Sequence, residues 1–126
     1  MNSNFKKDNS LFTGRLKSIV FATKGAWKLI STEHSIMVQT CIGLIITIFG
    51  FYVEITKSEW LFQTLAIGLV LSIEGVNTAV EKMADFVHPN FNQKIGFIKD
   101  IAAGAVFFAV ITAFTIGLII YIPYFI

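Results

Sequence analysis

Glu74, Asn77, Glu81 and Asp85 fall within roughly 80° of one another when the stretch around them is wound as an α-helix, with Thr78 beside them. The first of these positions lie inside Trp60–Val80, a run that is otherwise almost wholly apolar. A carboxylate placed in hydrocarbon costs about 2.5–3.5 kcal/mol on insertion scales. A row of them is tolerated only where it faces protein, a metal ion or a wet cavity. This stripe is the candidate active site. The bland alternative for Glu74 and Asn77 is interhelical hydrogen bonding that merely glues helices together.

Further polar groups collect near the same membrane boundary. Glu33 precedes the first apolar stretch, and Lys99 and Asp100 precede the third. Several carboxylates with a lysine suit a hard divalent cation held by oxygen ligands. Magnesium usually takes a few carboxylates together with substrate phosphates. That combination points to phosphoryl transfer, where positioning and charge neutralisation supply most of the catalysis. The chain has no GxxxxGK[ST] loop, no kinase glycine-rich loop and no catalytic-loop His-Arg-Asp. A nucleotide site here has to be built differently. A rival reading makes Glu74 the proton site of a small transporter or channel subunit, but it leaves Glu81, Asp85, Lys99 and Asp100 without a task.

The elements that position these residues are set by composition. Of 126 residues 55% are hydrophobic and only 14% charged, and mean hydropathy is +0.71. Three stretches, Ile36–Ile55, Trp60–Val80 and Ile101–Ile122, approach or reach the roughly 20 residues that cross a bilayer. The expected class is therefore an all-α integral membrane protein. A polar tail over residues 1–10 precedes one domain over 11–126. That domain comprises a surface helix at about 11–30 and spans at about 33–55, 60–86 and 99–122.

The surface helix is expected to be amphipathic. Leu11, Leu16, Ile19, Val20, Trp27 and Ile30 are its apolar set, and Arg15, Lys17, Lys24 and Lys28 its basic one. It serves either as an anchor among headgroups or as a lid that also helps to bind an anionic substrate. Ser31 or Thr32 is the expected N-cap of the first span. Val87-His88-Pro89-Asn90 is expected to stop the second, with a loop or short helix over 91–98 before Lys99 and Asp100 open the third. The single Cys41 cannot form an internal disulfide and reads as a packing residue. No cleavable signal peptide is visible.

Nine of the ten basic residues flank the spans on one side, six before the first span and Lys82, Lys94 and Lys99 between the second and third. The positive-inside rule then places the N-terminus and second loop in the cytoplasm and the C-terminus outside. Nucleic acid is not an expected partner.

Glu74-Gly-Val-Asn77-Thr78-Ala79-Val80-Glu81-Lys-Met-Ala-Asp85, followed by Lys99-Asp100-Ile-Ala-Ala-Gly104-Ala, closely resembles the small bacterial integral-membrane lipid kinases, the diacylglycerol kinase and undecaprenol kinase family. The resemblance covers about residues 11–124. It implies a homotrimer with active sites shared between neighbouring subunits, magnesium with ATP as phosphate donor, and a membrane lipid alcohol as acceptor in the bacterial inner membrane. Carried over by position, Glu74 is the general base and Asn77 orients it or the γ-phosphate. Glu33 and Glu81 are the metal carboxylates, and Asp85, Lys99 and Asp100 serve the nucleotide, with Lys17 and Lys24 as further contacts. Two positions depart from the pattern: Met37 and Gln39 stand where a basic residue and a His or Glu are usual. Phe21 stands where a tyrosine can occur. The Ala102–Ala105 run and Glu59-Trp60 favour undecaprenol over diacylglycerol as acceptor. A catalytically dead scaffold is disfavoured because every motif acid is present.

Overall fold

The computed structural model describes residues 5–126, with side chains from Leu11 onward. Four helices follow one another: α1 (Phe5–Thr32), α2 (His34–Val53), α3 (Lys57–Val87) and α4 (Gln93–Phe125). The last three are long and apolar enough to cross a membrane. Residues up to His34 and residues from Ser35 onward form two compact units.

In the first unit α1 begins at Phe5, so the helix runs back over part of the segment expected as a polar tail. Residues 1–4 of that tail lie outside the described residues, as do the side chains of Lys6 and Lys7. Ser31 and Thr32 do not cap the next helix. They end α1, and their hydroxyls donate backward to the carbonyls of Trp27 and Lys28. A Ser or Thr hydroxyl inside a helix bonds the carbonyl four residues back when that acceptor is nearer than any new N–H. Thr23 does the same to Ile19.

The second unit is built around α3 and α4, which pack together more extensively than any other helix pair. Contacts at both ends show them antiparallel. Lys99 meets Asp85 at one end, and the Tyr124 hydroxyl donates to Glu59 at the other (2.6 Å). Local chemistry sets the turns. Glu54 adopts φ 60°, and the Ile55 N–H reaches back to the Gly50 carbonyl (3.2 Å), a six-to-one closure that satisfies a terminal carbonyl of α2. Thr56 then caps α3 in a reciprocal box with Glu59. Asn92 caps α4 through the Lys94 N–H (2.8 Å), so most of the segment expected as a loop or short helix over 91–98 is the opening of a longer α4.

α2 lies antiparallel to α3 and touches both partners. Gly43 approaches Ile67, and Gly50 sits beneath Trp60 and Tyr121. Phe49 packs on Tyr121 (ring centroids 5.3 Å apart) and stacks on Phe125 (5.8 Å). The Tyr121 hydroxyl, on α4, bonds Gln63 of α3 and faces the Ile46 carbonyl of α2 at 3.3 Å. One side chain thus bolts three helices together at the end remote from Glu74. Cys41 is exposed on α2 rather than packed. Many large apolar side chains face outward, among them Leu44, Ile48, Leu65, Phe107 and Ile119, as expected of helices that face lipid.

Gly50 is where this bolt is most sensitive. A Cβ there would lie 3.0 Å from Trp60, 3.1 Å from the Tyr121 hydroxyl and 3.2 Å from Ile55. Three neighbours must yield together. Gly50→Ala is expected to lower stability by about 1–3 kcal/mol, read as a fall in the detergent-solubilised protein's unfolding midpoint. An unchanged midpoint would show that the three helices do not close at this point.

Candidate active site

α3 is 31 residues long, which gives a rod of about 46 Å against a hydrocarbon thickness of about 30 Å. The rod is longer than the apolar layer is thick, and the polar stripe occupies its C-terminal turns. Glu74, Asn77 and Thr78 are buried, with Glu74 and Asn77 each 8% exposed, whereas Glu81 and Asp85 are exposed. The stripe thus runs from a dry end to a wet one.

Each member has a distinct setting. Glu74 receives a hydrogen bond from Gln39 Nε2 of α2 (3.4 Å to Oε2). Asn77 Nδ2 donates to Glu81 Oε1 one turn further on (3.4 Å), while its own Oδ1 is buried without a protein partner. Thr78 takes no part, because its hydroxyl bonds the Glu74 main-chain carbonyl (3.0 Å). At the wet end the Lys99 ammonium closes on Asp85 Oδ1 at 2.6 Å, with both side chains partly or largely open to solvent, and Asp100 is exposed beside it. Such an exposed pair contributes about 0–1 kcal/mol to stability, so its worth lies in holding a cation and an anion at a fixed place.

Glu33, Lys17 and Lys24 belong to the first unit. Glu33 occupies the single-residue break between α1 and α2, where its N–H bonds the Leu29 carbonyl (3.1 Å). Lys17 and Lys24 are exposed on α1 and line one shallow depression with Thr13, Leu16, Val20 and Phe21. Of the expected site residues, the structure pairs Asn77 with Glu81 and Asp85 with Lys99.

Two features go beyond expectation. Gln39, which the chain marks only as a departure from the family pattern, is the partner of Glu74. A cavity of about 600 Å3 opens between α2, α3 and α4, walled by Ile67, Val70 and Phe114 among others. Gln39 lies at one end, and Gln63 and Tyr121 at the other. Eleven residues separate Gln63 from Glu74, about 16 Å of helical rise. Eleven steps of 100° also return to within about 20° of the start. Gln63 therefore extends the Glu74 stripe, and polar residues in register along α3 are the signal that finds it.

The donor set suits a magnesium ion that arrives with phosphates. Among the described residues no group of three His, Cys, Asp or Glu gathers around one point, yet Glu81 offers a hard anionic oxygen at the wet end of the stripe. Magnesium uses one or two such carboxylates when phosphates complete its shell.

Residues 20–121 match the family model for prokaryotic diacylglycerol kinase. The chain belongs to that family. This kinase family accounts for a carboxylate stripe at a membrane boundary without any soluble nucleotide motif, and membership makes the chain a lipid kinase whose phosphate donor is a nucleotide. The chain is also similar to undecaprenol kinase of Bacillus subtilis (strain 168), with 35% identity over 107 residues, covering 85% of this chain and 87% of the relative.

Proposed function

We propose that this kinase transfers the γ-phosphate of ATP to the hydroxyl of a membrane polyprenol, undecaprenol in preference to diacylglycerol. The observation that carries the reading is the buried carboxylate of Glu74, linked by one hydrogen bond to a residue that lines a membrane-depth apolar cavity. Apolar cavities of about 300–1,000 Å3 with a few polar groups at one end are typical of small-molecule sites. A long lipid chain lying in this one brings its terminal hydroxyl up to Glu74. The likeness to undecaprenol kinase supports the polyprenol over the glycerolipid.

Glu74 takes the proton from the lipid hydroxyl as its oxygen attacks the γ-phosphorus in line. The bond from that phosphorus to the bridging oxygen breaks, and ADP leaves. Asn77, anchored through Nδ2 on Glu81, keeps its Oδ1 for orienting the reacting groups. Glu81 would hold magnesium, with Glu33 as the other carboxylate that the family resemblance assigns to it, and the ion would neutralise phosphate charge. Lys99 is held by Asp85 where a polyphosphate can reach it, Asp100 stands beside it, and Lys17 and Lys24 are the further nucleotide contacts that the family resemblance implies. In this reading α1 is an amphipathic helix on the cytoplasmic surface of the bacterial inner membrane, the C-terminus is outside, and the working unit is a homotrimer that shares its active sites.

Phosphate transfer from labelled ATP in mixed micelles tests it, with undecaprenol and diacylglycerol offered separately. The expected result is labelled lipid with both, faster with undecaprenol, and none when magnesium is chelated. Faster labelling of diacylglycerol would reverse the acceptor assignment. Absence of labelled lipid from folded protein would overturn the reading.

A further inference from the structure

We infer that Gln39 is a positioning residue that serves Glu74 in both of its protonation states, an inference that rests on Glu74 being the proton acceptor of the kinase reaction. Gln39 stands on α2 and Glu74 on α3, so the contact between them owes nothing to helix periodicity. Its Nε2 donates to Glu74 Oε2 at 3.4 Å, and its Oε1 is buried without a protein partner. The same side chain lines the apolar cavity. Half of the amide is thus in use and the other half is idle.

The reaction supplies a use for the idle half. An ionised carboxylate only accepts hydrogen bonds, whereas a protonated one gains an O–H that must donate. Before transfer, the Gln39 N–H faces the Glu74 carboxylate. During transfer the lipid O–H bond breaks and its proton passes to Glu74. The lipid oxygen bonds the γ-phosphorus, and the electron pair of the broken phosphorus–oxygen bond leaves with ADP. Glu74 then carries an O–H inside an apolar wall. A half-turn of the terminal amide of Gln39 brings Oε1 to accept it, and the proton later passes from Glu74 to water. Few side chains place a donor and an acceptor at interchangeable positions, and a glutamine amide does so without itself titrating. A carboxylate at position 39 would instead set two like charges together and favour their sharing one proton.

Measuring kcat and both KM values for Gln39→Met and Gln39→His separates this role from its rivals. Methionine keeps the length, removes the donor and leaves only a weak sulfur acceptor. It is expected to lower kcat roughly 10- to 100-fold, as for loss of a hydrogen bond to a charged group, with the KM for lipid and for ATP within about twofold. Histidine also offers a ring donor and a ring acceptor, and is expected to recover most of the lost kcat. Wild-type kcat in Gln39→Met overturns the inference. So does a raised lipid KM at unchanged kcat, which would make Gln39 a lipid contact. Parallel loss of kcat and unfolding temperature in both variants would make it interhelical glue. Failure of the underlying reading is told apart by the wild-type protein, which would then phosphorylate no lipid, or by Glu74→Gln turning over normally.

Discussion

Glu74→Gln is expected to leave the protein folded and inserted while abolishing lipid phosphorylation, with kcat reduced at least roughly 10²- to 10⁴-fold, the range for loss of a general acid or base. The two side chains have the same shape, so the packing of a residue only 8% exposed is retained. The hydrogen bond with Gln39 survives as an amide–amide contact. Exchanging a buried carboxylate for a neutral amide also removes a desolvation penalty, so the unfolding midpoint is expected to stay level or rise. What is lost, on the proposed mechanism, is the group that receives the hydroxyl proton. On the proposed mechanism ATP is bound by other residues, so its binding should change little. Turnover measured beside a nucleotide-binding assay and an unfolding curve decides the matter. Wild-type rates from the variant would remove Glu74 from the chemistry and leave it a helix-packing residue.

The second large effect is expected at Glu81. Glu81→Gln preserves an Oε1 for Asn77 Nδ2, whose bond to Glu81 is 3.4 Å long, so the local geometry stands and the variant isolates the charge. Even a residue that supports a metal ligand from outside typically matters roughly 10- to 100-fold for metal affinity. A direct carboxylate ligand is expected to matter at least as much. The magnesium concentration for half-maximal activity should therefore rise roughly tenfold or more, with activity partly recovered at high magnesium. Because Glu81 is exposed on the last turns of α3, its loss should not alter folding. An unchanged magnesium requirement would sink the metal-ligand role and leave Glu81 as the group that orients Asn77.

Both residues are legible in the amino-acid sequence because helical periodicity is a local property. Positions 74, 77, 81 and 85 share a face whatever packs against it. Gln63 obeys the same arithmetic in the other direction along α3, away from its C-terminal end. Gln39 is different in kind. In the chain it is a departure from a family pattern, and nothing within its own helix indicates that it meets Glu74, 35 residues away. Ser31 and Thr32 resist a sequence reading for a related reason. Their types suit an N-cap, but the preceding helix continues through them, and its nearer carbonyls capture their hydroxyls. The turn chemistry at Thr56 and Asn92 is equally local, though the position of Asn92 as cap lengthens α4 beyond the expected span.

The amino-acid sequence alone determined three membrane-length helices, the polar stripe and the family motif, because hydropathy, periodicity and motif spacing are properties of neighbouring residues. Only the tertiary structure decided that Gln39 reaches Glu74 and that Lys99 closes on Asp85. It alone decided that Tyr121 joins three helices around a cavity. Those contacts link residues 14 to 75 positions apart, and they exist because antiparallel packing sets distant turns side by side, an outcome of whole-helix packing that no single stretch encodes.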